Sequence, residues 1–343
     1  VTLTNQIPLD APSGTASSDL HRGDLDQYAR SDLRRSLFAL ATSLVPYLAL
    51  WALMFLAYPT MPYWVVLLLA VPASGFMVRT YILFHDCVHG SLFASKRANE
   101  WVGRSLALLA FTPFARWRYE HLVHHATAGD LDRRGVGDVP MSTVAEYQAM
   151  SRGARLGYRL YRNPFVMYLL GPIYSTFIMQ RMQTRNARTR LKRSVWGTTL
   201  AATVMVGLLV LAFGWQAVLF VELPIVVIAG GVGIWLFYVQ HQYPDTYWVH
   251  TEDWSFTDAA LYGSSHLALP RVLQFFTGNI GFHHVHHLNP KIPNYNLQRA
   301  HEEQPFLHAV PALSMADGLR ATRLKLYDED TDRMVVWSEV ASR

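Results

Sequence analysis

Four long apolar runs decide most of what this chain can become. Each nears or exceeds the about 20 residues that a helix needs to cross a bilayer. They are Ser36–Tyr58, Pro62–Phe84, Trp196–Phe213 and Trp215–Tyr238. Pro46 alone interrupts the first. The second holds Pro72, Gly75 and one charge, Arg79. The third has no charge, and the fourth carries Glu222, Pro224 and the pair Gly230–Gly231. The uncharged turn 59–61 joins the first two runs, and Gly214 joins the last two. The expected fold is therefore all-α and integral to a membrane, with four transmembrane helices in two hairpins. Two other apolar runs fall short. Trp101–Phe114 is short and contains Arg104. Asn163–Gln180 is flanked by Arg162 and Arg181, which suits a helix lying in the interface rather than crossing it.

Composition agrees. Of the 343 residues, 51% are hydrophobic and 16% charged, against about 25% charged in ordinary soluble domains. That excludes a disordered chain and argues against a soluble one. A net charge of +5 in so apolar a chain points to an anionic membrane face rather than nucleic acid. Cys87 is the one cysteine, which excludes an internal disulfide, a cysteine zinc cluster and a self-contained iron–sulfur centre.

Lysine and arginine placement sets the orientation. Arg22, Arg30, Arg34 and Arg35 precede the first run, and residues 84–195 hold 17 basic residues, six of them within Arg181–Arg193. The two hairpin turns hold none. By the positive-inside rule the N-terminal tail 1–35, the middle segment and the region from His241 onward are cytoplasmic. Residues 1–20, rich in Ser, Thr, Pro and Ala, read as a disordered tail without a signal or transit peptide. Residues 36–305 are expected to form the membrane domain with interfacial helices and a helical cap, and 306–343 a cytoplasmic extension.

The 15 histidines are clustered. His85 and His89 stand at i and i+4. His121, His124 and His125 stand at i, i+3 and i+4, and His283, His286 and His287 repeat that spacing. On a helix each set shares one face. If the second helix continues past Phe84, His89 lies five residues further, about 7–8 Å, just outside the hydrocarbon. His241, at the end of the fourth run, is a ninth candidate at the same depth. Nine imidazoles exceed the needs of one zinc, which takes about four ligands. They suit two metals of higher coordination with a position left for oxygen. Imidazole serves Fe, Cu, Zn and Ni alike, so ligand type does not choose the metal. Soluble di-iron proteins use Glu-x-x-His pairs, and none occurs here.

A ligating histidine donates its other N–H to a carboxylate or carbonyl. Asp86, Asp130 and Asp138 lie close enough in sequence to serve, although Asp86 could equally be a solvated helix charge. Asn279, four residues before His283, reaches the site if the helix is continuous; its TGN context equally suits a turn or cap. His266, in GSSHLALP, reads as a packing residue, and His284 is expected to point away from the box ligands. His21, His250, His301 and His308 have no spacing partners. Glu222 is expected to snorkel to the outer interface. The Arg181–Arg193 run reads as a phospholipid-facing surface, with docking of an acidic electron carrier as the alternative.

The three boxes HDCVH, HLVHH and HHVHH, with HHATAGDLDRRGVGD, FYVQH and LPRVLQFFTGNIGFHHVHHLNPKIPNYNL around them, resemble the membrane fatty acid desaturase family over roughly residues 36–305. The last run is similar to bacterial acyl-lipid desaturases of the Δ12/ω6-like branch. The resemblance implies four spans under a cytosolic cap in a bacterial inner membrane. It implies two Fe ions that use O2 and two electrons to make a cis double bond in a fatty acyl chain. The eight box histidines and His241 match the family's ligands; where many members carry a further histidine two residues after the last span's, this chain has Tyr243. Without a haem signature, a Rossmann motif or a cysteine cluster, the electrons are expected from a ferredoxin or cytochrome b5-like donor. A membrane hydroxylase of alkanes, sterols or carotenoids would share the boxes, but the LNPKIPNYNL context favours desaturation. A transporter would place its ionisable groups near the bilayer midplane, whereas these histidines lie outside the spans.

Overall fold

A computed structural model describes residues 24–182 and 187–341. The expected disordered tail, with His21 and Arg22, lies outside the described residues, as does Arg185. Six helices position the site: α1 (Leu33–Ala57), α2 (Tyr63–His89), α3 (Phe114–Thr127), α4 (Thr189–Phe213), α5 (Trp215–His241) and α6 (His283–Leu288). Four of them, α1, α2, α4 and α5, are long and apolar enough to cross a membrane. They occupy the four apolar runs, and the chain is an all-α integral membrane protein with a few short strands.

The helices overrun those runs in an informative way. Both α2 and α5 have 27 residues, about 40 Å at 1.5 Å per residue, against an apolar layer of about 30 Å. That surplus is long enough to carry the last turns of both, with His85, His89 and His241, past an apolar layer of that thickness. Asp32 caps α1 by accepting the Arg35 N–H at 2.9 Å. Gly90 stops α2 directly after His89. Its φ of 68° lies in the left-handed region, and its N–H turns back to the Asp86 and Cys87 carbonyls, the glycine-dependent way to end a helix.

Inside the bundle, α1, α2 and α5 share one buried cluster that includes Met54, Phe55, Val66, Ala73, Val221 and Ile225. Helix α4 is peripheral and exposes Leu200, Val204, Leu208 and Leu211, as a lipid-facing helix should. Glu222 sits half-buried between α5 and α1, where one carboxylate oxygen accepts the Trp51 indole N–H at 2.6 Å, so the side chain is tied to the neighbouring helix rather than extended freely to the outer interface. Arg79, the charge inside α2, lies over the Phe275 ring at 4.0 Å and donates to the Phe275 carbonyl.

Residues 163–180 do not cross the bundle. They break into a π-helical turn (Val166–Leu170), a short α-helix (Gly171–Phe177) and a 3-10 turn (Met179–Arg181). The segment lies against α5 at Gly230–Gly231, where a Cβ on Gly231 would stand 2.5 Å from the Tyr168 carbonyl oxygen. Phe165, Leu170, Tyr174, Phe177 and Ile178 stay exposed. The flanking arginines, however, are not headgroup anchors. Arg162 is 0% exposed and donates to Tyr238 Oη at 2.8 Å, Gln242 Oε1 at 2.6 Å and the Leu324 carbonyl at 3.2 Å. Arg181 donates to Thr199 Oγ1 at 3.1 Å and to the Phe111 carbonyl.

The cap is built partly from the chain's C-terminal end. Leu326–Asp328 pairs in parallel with Ser142–Thr143 and antiparallel with Arg333–Val335, and Ala312–Leu313 pairs in parallel with His266–Leu267. Leu326, Tyr327, Met334 and Val335 are buried. The segment after residue 305, expected as an extension, is thus woven into the cap. Its apolar residues, such as Leu307, join Val285, Leu288, Ile292 and Leu297 in a core that also includes Leu236 and Val239 of α5.

Candidate metal centre

The nine clustered histidines meet where α2 and α5 leave the bundle. His85 and His89 come from the last turns of α2, and His121, His124 and His125 from α3. His241 ends α5, and His283, His286 and His287 come from α6. None is more than 8% exposed. They form two groups, each able to hold a metal ion: His85, His89, His121, His125 and His286; and His124, His241, His283 and His287. Within a group the candidate ligand nitrogens lie within 4.8 Å of one another. Helix α3 serves both: His121 and His125, one turn apart, face the first group, while His124 turns to the second.

The hydrogen bonds of His241 and His124 show what such a group needs. His241 Nδ1 lies 2.9 Å from the Gly263 carbonyl, which can only accept, so Nδ1 carries the proton and a neutral ring leaves Nε2 bare. His124 Nδ1 lies 2.5 Å from Asp138 Oδ1, so in the neutral tautomer that a metal requires its Nε2 is bare in the same way. The two bare Nε2 atoms face each other at 3.0 Å, and His283 Nε2 also comes within 3.0 Å of His241 Nε2. Lone pairs so placed repel unless a cation lies among them. In the other group His125 Nε2 is 3.1 Å from both His121 Nε2 and His286 Nε2. Two cis nitrogens bound to one metal at about 2.1 Å would be about 3.0 Å apart. His89 Nε2 and His287 Nε2 are buried without a hydrogen-bond partner, as nitrogens that serve as metal ligands would be. Burial, followed by the neighbouring imidazoles, holds His121, His125, His283, His286 and His287 well below the usual histidine range. They are neutral and carry the lone pairs a metal requires. The residues therefore fit two metal ions.

The carboxylates divide the supporting work. Asp138 holds His124, and its other oxygen accepts the Gly135 N–H at 2.8 Å. Asp86 is not a solvated charge: at 2% exposed it accepts the Asn294 backbone and side-chain N–H groups at 2.8 and 2.7 Å, clamping α2 to the start of the helix Asn294–Glu303 that follows the third box. Its other oxygen is 3.6 Å from His85 Nδ1. Asp130 instead organises its own loop, accepting from Arg133 and Thr251. Asn279 does not reach the histidines. It lies in the turn before α6 with φ of 59°, because the helix starts only at His283, and its amide donates to the Asn294 carbonyl at 3.0 Å. Tyr243 donates its hydroxyl to the Tyr262 carbonyl.

His266 stays outside both groups, half-buried and stacked on Phe282 with ring centroids 4.9 Å apart. His284 points away from the centre, with Nε2 3.1 Å from His301 Nδ1. His301 in turn lies beside His266 and His308. His250 sits at the surface beside Asp132. The sequence reading missed two aromatic walls. Trp117 stacks on His121 at 4.4 Å, and Phe237 lies 4.9 Å from His124. Each stands four residues before a clustered histidine on its own helix, so helical spacing could have found them.

A fatty acid desaturase family model matches residues 61–313. A fatty acid desaturase of Bacillus subtilis (strain 168) is 44% identical over 308 residues, covering 90% of this chain and 87% of that protein. Two proteins of Synechocystis sp. (strain ATCC 27184 / PCC 6803 / Kazusa) are also similar. The sn-1 oleoyl-lipid 12-desaturase is 32% identical over 64% of this chain and 63% of its own length. The sn-1 acyl-lipid omega-3 desaturase (ferredoxin) is 30% identical over 65% and 62%. With the family's model spanning both histidine groups and a relative at this identity over nine-tenths of the chain, the protein belongs to the fatty acid desaturase family and is an oxidoreductase.

Proposed function

We propose that this enzyme uses two iron ions, O2 and two externally supplied electrons to place a cis double bond in a lipid-linked fatty acyl chain. The observation that carries the metal reading is the facing pair of bare nitrogens on His124 and His241, 3.0 Å apart. His85, His89, His121, His125 and His286 would hold one ion, and His124, His241, His283 and His287 the other. Bound there, the pair would supply O2 activation and removal of hydrogen from an unactivated methylene, which no side-chain base can start. The sum balances: one CH2–CH2 unit, O2, two electrons and two protons give one CH=CH unit and two waters.

The chain's own residues fix the rest. Asp138 and the Gly263 carbonyl set the imidazole tautomers, and the buried histidines keep bulk water out. Trp117 and Phe237 give the centre apolar walls suited to a hydrocarbon. The names of the two Synechocystis relatives support an acyl-lipid substrate and a ferredoxin-type donor. The 17-to-zero asymmetry of basic residues between the middle segment and the hairpin turns supports a cap and termini facing the cytoplasm of a bacterial inner membrane.

Expression in a host that lacks polyunsaturated lipids, with double bonds located by mass spectrometry, tests the reaction. A new C=C bond and close to two irons per chain are expected. Hydroxylated chains without a new C=C bond would move the protein to the hydroxylase reading. One zinc and no iron would overturn the metal assignment.

A further inference from the structure

Lys291 follows the third box by four residues and, while exposed, reaches back to the first. Its Nζ donates to the His89 carbonyl at 2.5 Å, at the end of α2. A cation there complements the helix C-terminus and by itself has a structural explanation. Its neighbours do not. Arg118 stands three and seven residues before His121 and His125 on α3, whose ring centroids lie 4.8 and 4.7 Å from that of His89, and Arg118 and exposed Lys96 both lie within electrostatic reach of Lys291. Among the described residues none of the three has a carboxylate at ion-pair distance. Glu100 lies within reach of Arg118, but it is bonded to Arg104 at 2.6 Å and lies 3.6 Å from Arg190. Lys96 and Arg97, both exposed, occupy the first turn of the helix Lys96–Leu109, where basic side chains oppose the helix dipole. Like charges crowded onto a positive helix end cost stability unless an anionic partner covers them.

We infer that Lys96, Arg118 and Lys291 form the docking surface for the acidic face of the one-electron carrier protein that reduces the centre. The inference rests on the desaturase reading above. Two observations favour a protein over a lipid phosphate. The patch stands on the peptide of His89, so a carrier seated there is one side chain and one hydrogen bond from a histidine of the first group. It also lies at the end of a helix of about 40 Å, roughly 10 Å past an apolar layer of about 30 Å, toward the outer edge of the headgroup zone. Two dockings complete a turnover: two reduced carriers, O2, two protons and the saturated chain give two oxidised carriers, the unsaturated chain and two waters. Charge complementarity of this kind acts mainly on encounter rate and is weakened by salt.

The test uses full-length, iron-loaded enzyme with an acidic [2Fe–2S] ferredoxin kept reduced by its reductase. In the Lys96→Glu/Arg118→Glu double variant, which leaves the Lys291–His89 bond in place, the KM for ferredoxin should rise about tenfold or more. Its rate should lose most of the wild-type dependence on ionic strength. Arg152→Glu, a charge reversal at an exposed position on another helix, should not move the ferredoxin KM. If charge reversal lowers expression, Lys96→Gln/Arg118→Gln should give a smaller change in the same direction. An unchanged ferredoxin KM with an unchanged salt profile would overturn the inference. So would a raised KM for anionic phospholipid vesicles with the ferredoxin KM intact, which would assign the patch to a phosphate. Failure of the desaturase reading shows separately, as absence of any C=C product from wild type. Ferredoxin affinity of wild type and the double variant, measured directly by titration, then still decides the docking surface.

Discussion

Asp138 and His124, 14 positions apart in sequence, meet at 2.5 Å, carboxylate oxygen to Nδ1. That contact turns the bare Nε2 of His124 toward His241, which the Gly263 carbonyl holds in the matching tautomer. A group of four histidines without a carboxylate among them thus takes its orientation from groups that never touch the metal position.

Asp138→Asn should therefore weaken metal binding without unfolding the chain. An amide can still accept the Nδ1 proton, but it removes the negative charge that makes His124 a stronger base. Loss of such a partner lowers metal affinity about 10- to 100-fold. Metal analysis after dialysis against a weak chelator should show close to one ion retained per chain, with circular dichroism unchanged. Retention of both ions would remove Asp138 from the supporting role.

His241 and His266 should separate cleanly, although both lie outside the three boxes. His241→Ala deletes one of four nitrogens in its group and should lose iron and nearly all desaturation. The protein level must be followed as well, since unfilled sites forfeit metal-binding free energy. His266→Ala removes a ring stacked on Phe282 and should keep the iron and most of the activity. A folded His241→Ala enzyme with two irons and normal product would strike His241 from the set.

What the sequence made legible was short-range. Apolar length located four helices, and i, i+3, i+4 spacing placed eight histidines on shared faces, because both signals repeat within a few turns of one helix. His241 was legible from its depth at the end of a span. What stayed hidden depends on contacts between distant segments. Arg162 reads as an interface anchor until residues 140, 238, 242 and 324 fold around it. The pairing of Ser142–Thr143 with Leu326–Tyr327 spans most of the cap, and two-residue strands leave no periodic trace. Asn279 was ambiguous because a helix and the turn before it share the same letters. Only the left-handed backbone at that residue resolves the choice.

Acid should destabilise the cap in a defined window. Burial, followed by His301 and His308, lowers the His266 pKa to about 4, against about 6.5 unfolded. The unfolded chain then binds the extra proton below about 6.5 while the folded chain does not. His266 therefore contributes no penalty above 6.5, and stability falls as pH drops from 6.5 toward 4, by at most about 3 kcal/mol. Thermal unfolding of detergent-solubilised wild type and His266→Phe between pH 7 and 4.5 checks this. The variant should lose less stability on acidification; parallel curves would show that His266 is not held neutral.

The Trp51–Glu222 bond should matter although it lies far along α5 from every histidine of the centre. At 2.6 Å the indole N–H is the partner the structure shows for this carboxyl inside the bundle. Trp51→Phe removes the donor, keeps an aromatic ring to pack on Phe55, and leaves the carboxyl without that bond. A fully buried polar group left unsatisfied costs about 1–3 kcal/mol; for a half-buried carboxyl the loss falls at the lower end, so the midpoint of thermal inactivation in detergent should fall by a few degrees. Glu222→Gln retains an acceptor for the indole and should stay within about 1 kcal/mol of wild type. In Glu222→Leu both the carboxyl and the need for its donor disappear, so adding Trp51→Phe to that background should cost much less than in wild type. Strictly additive losses in this cycle would mean that the two side chains do not support each other, and that Glu222 finds water by another route.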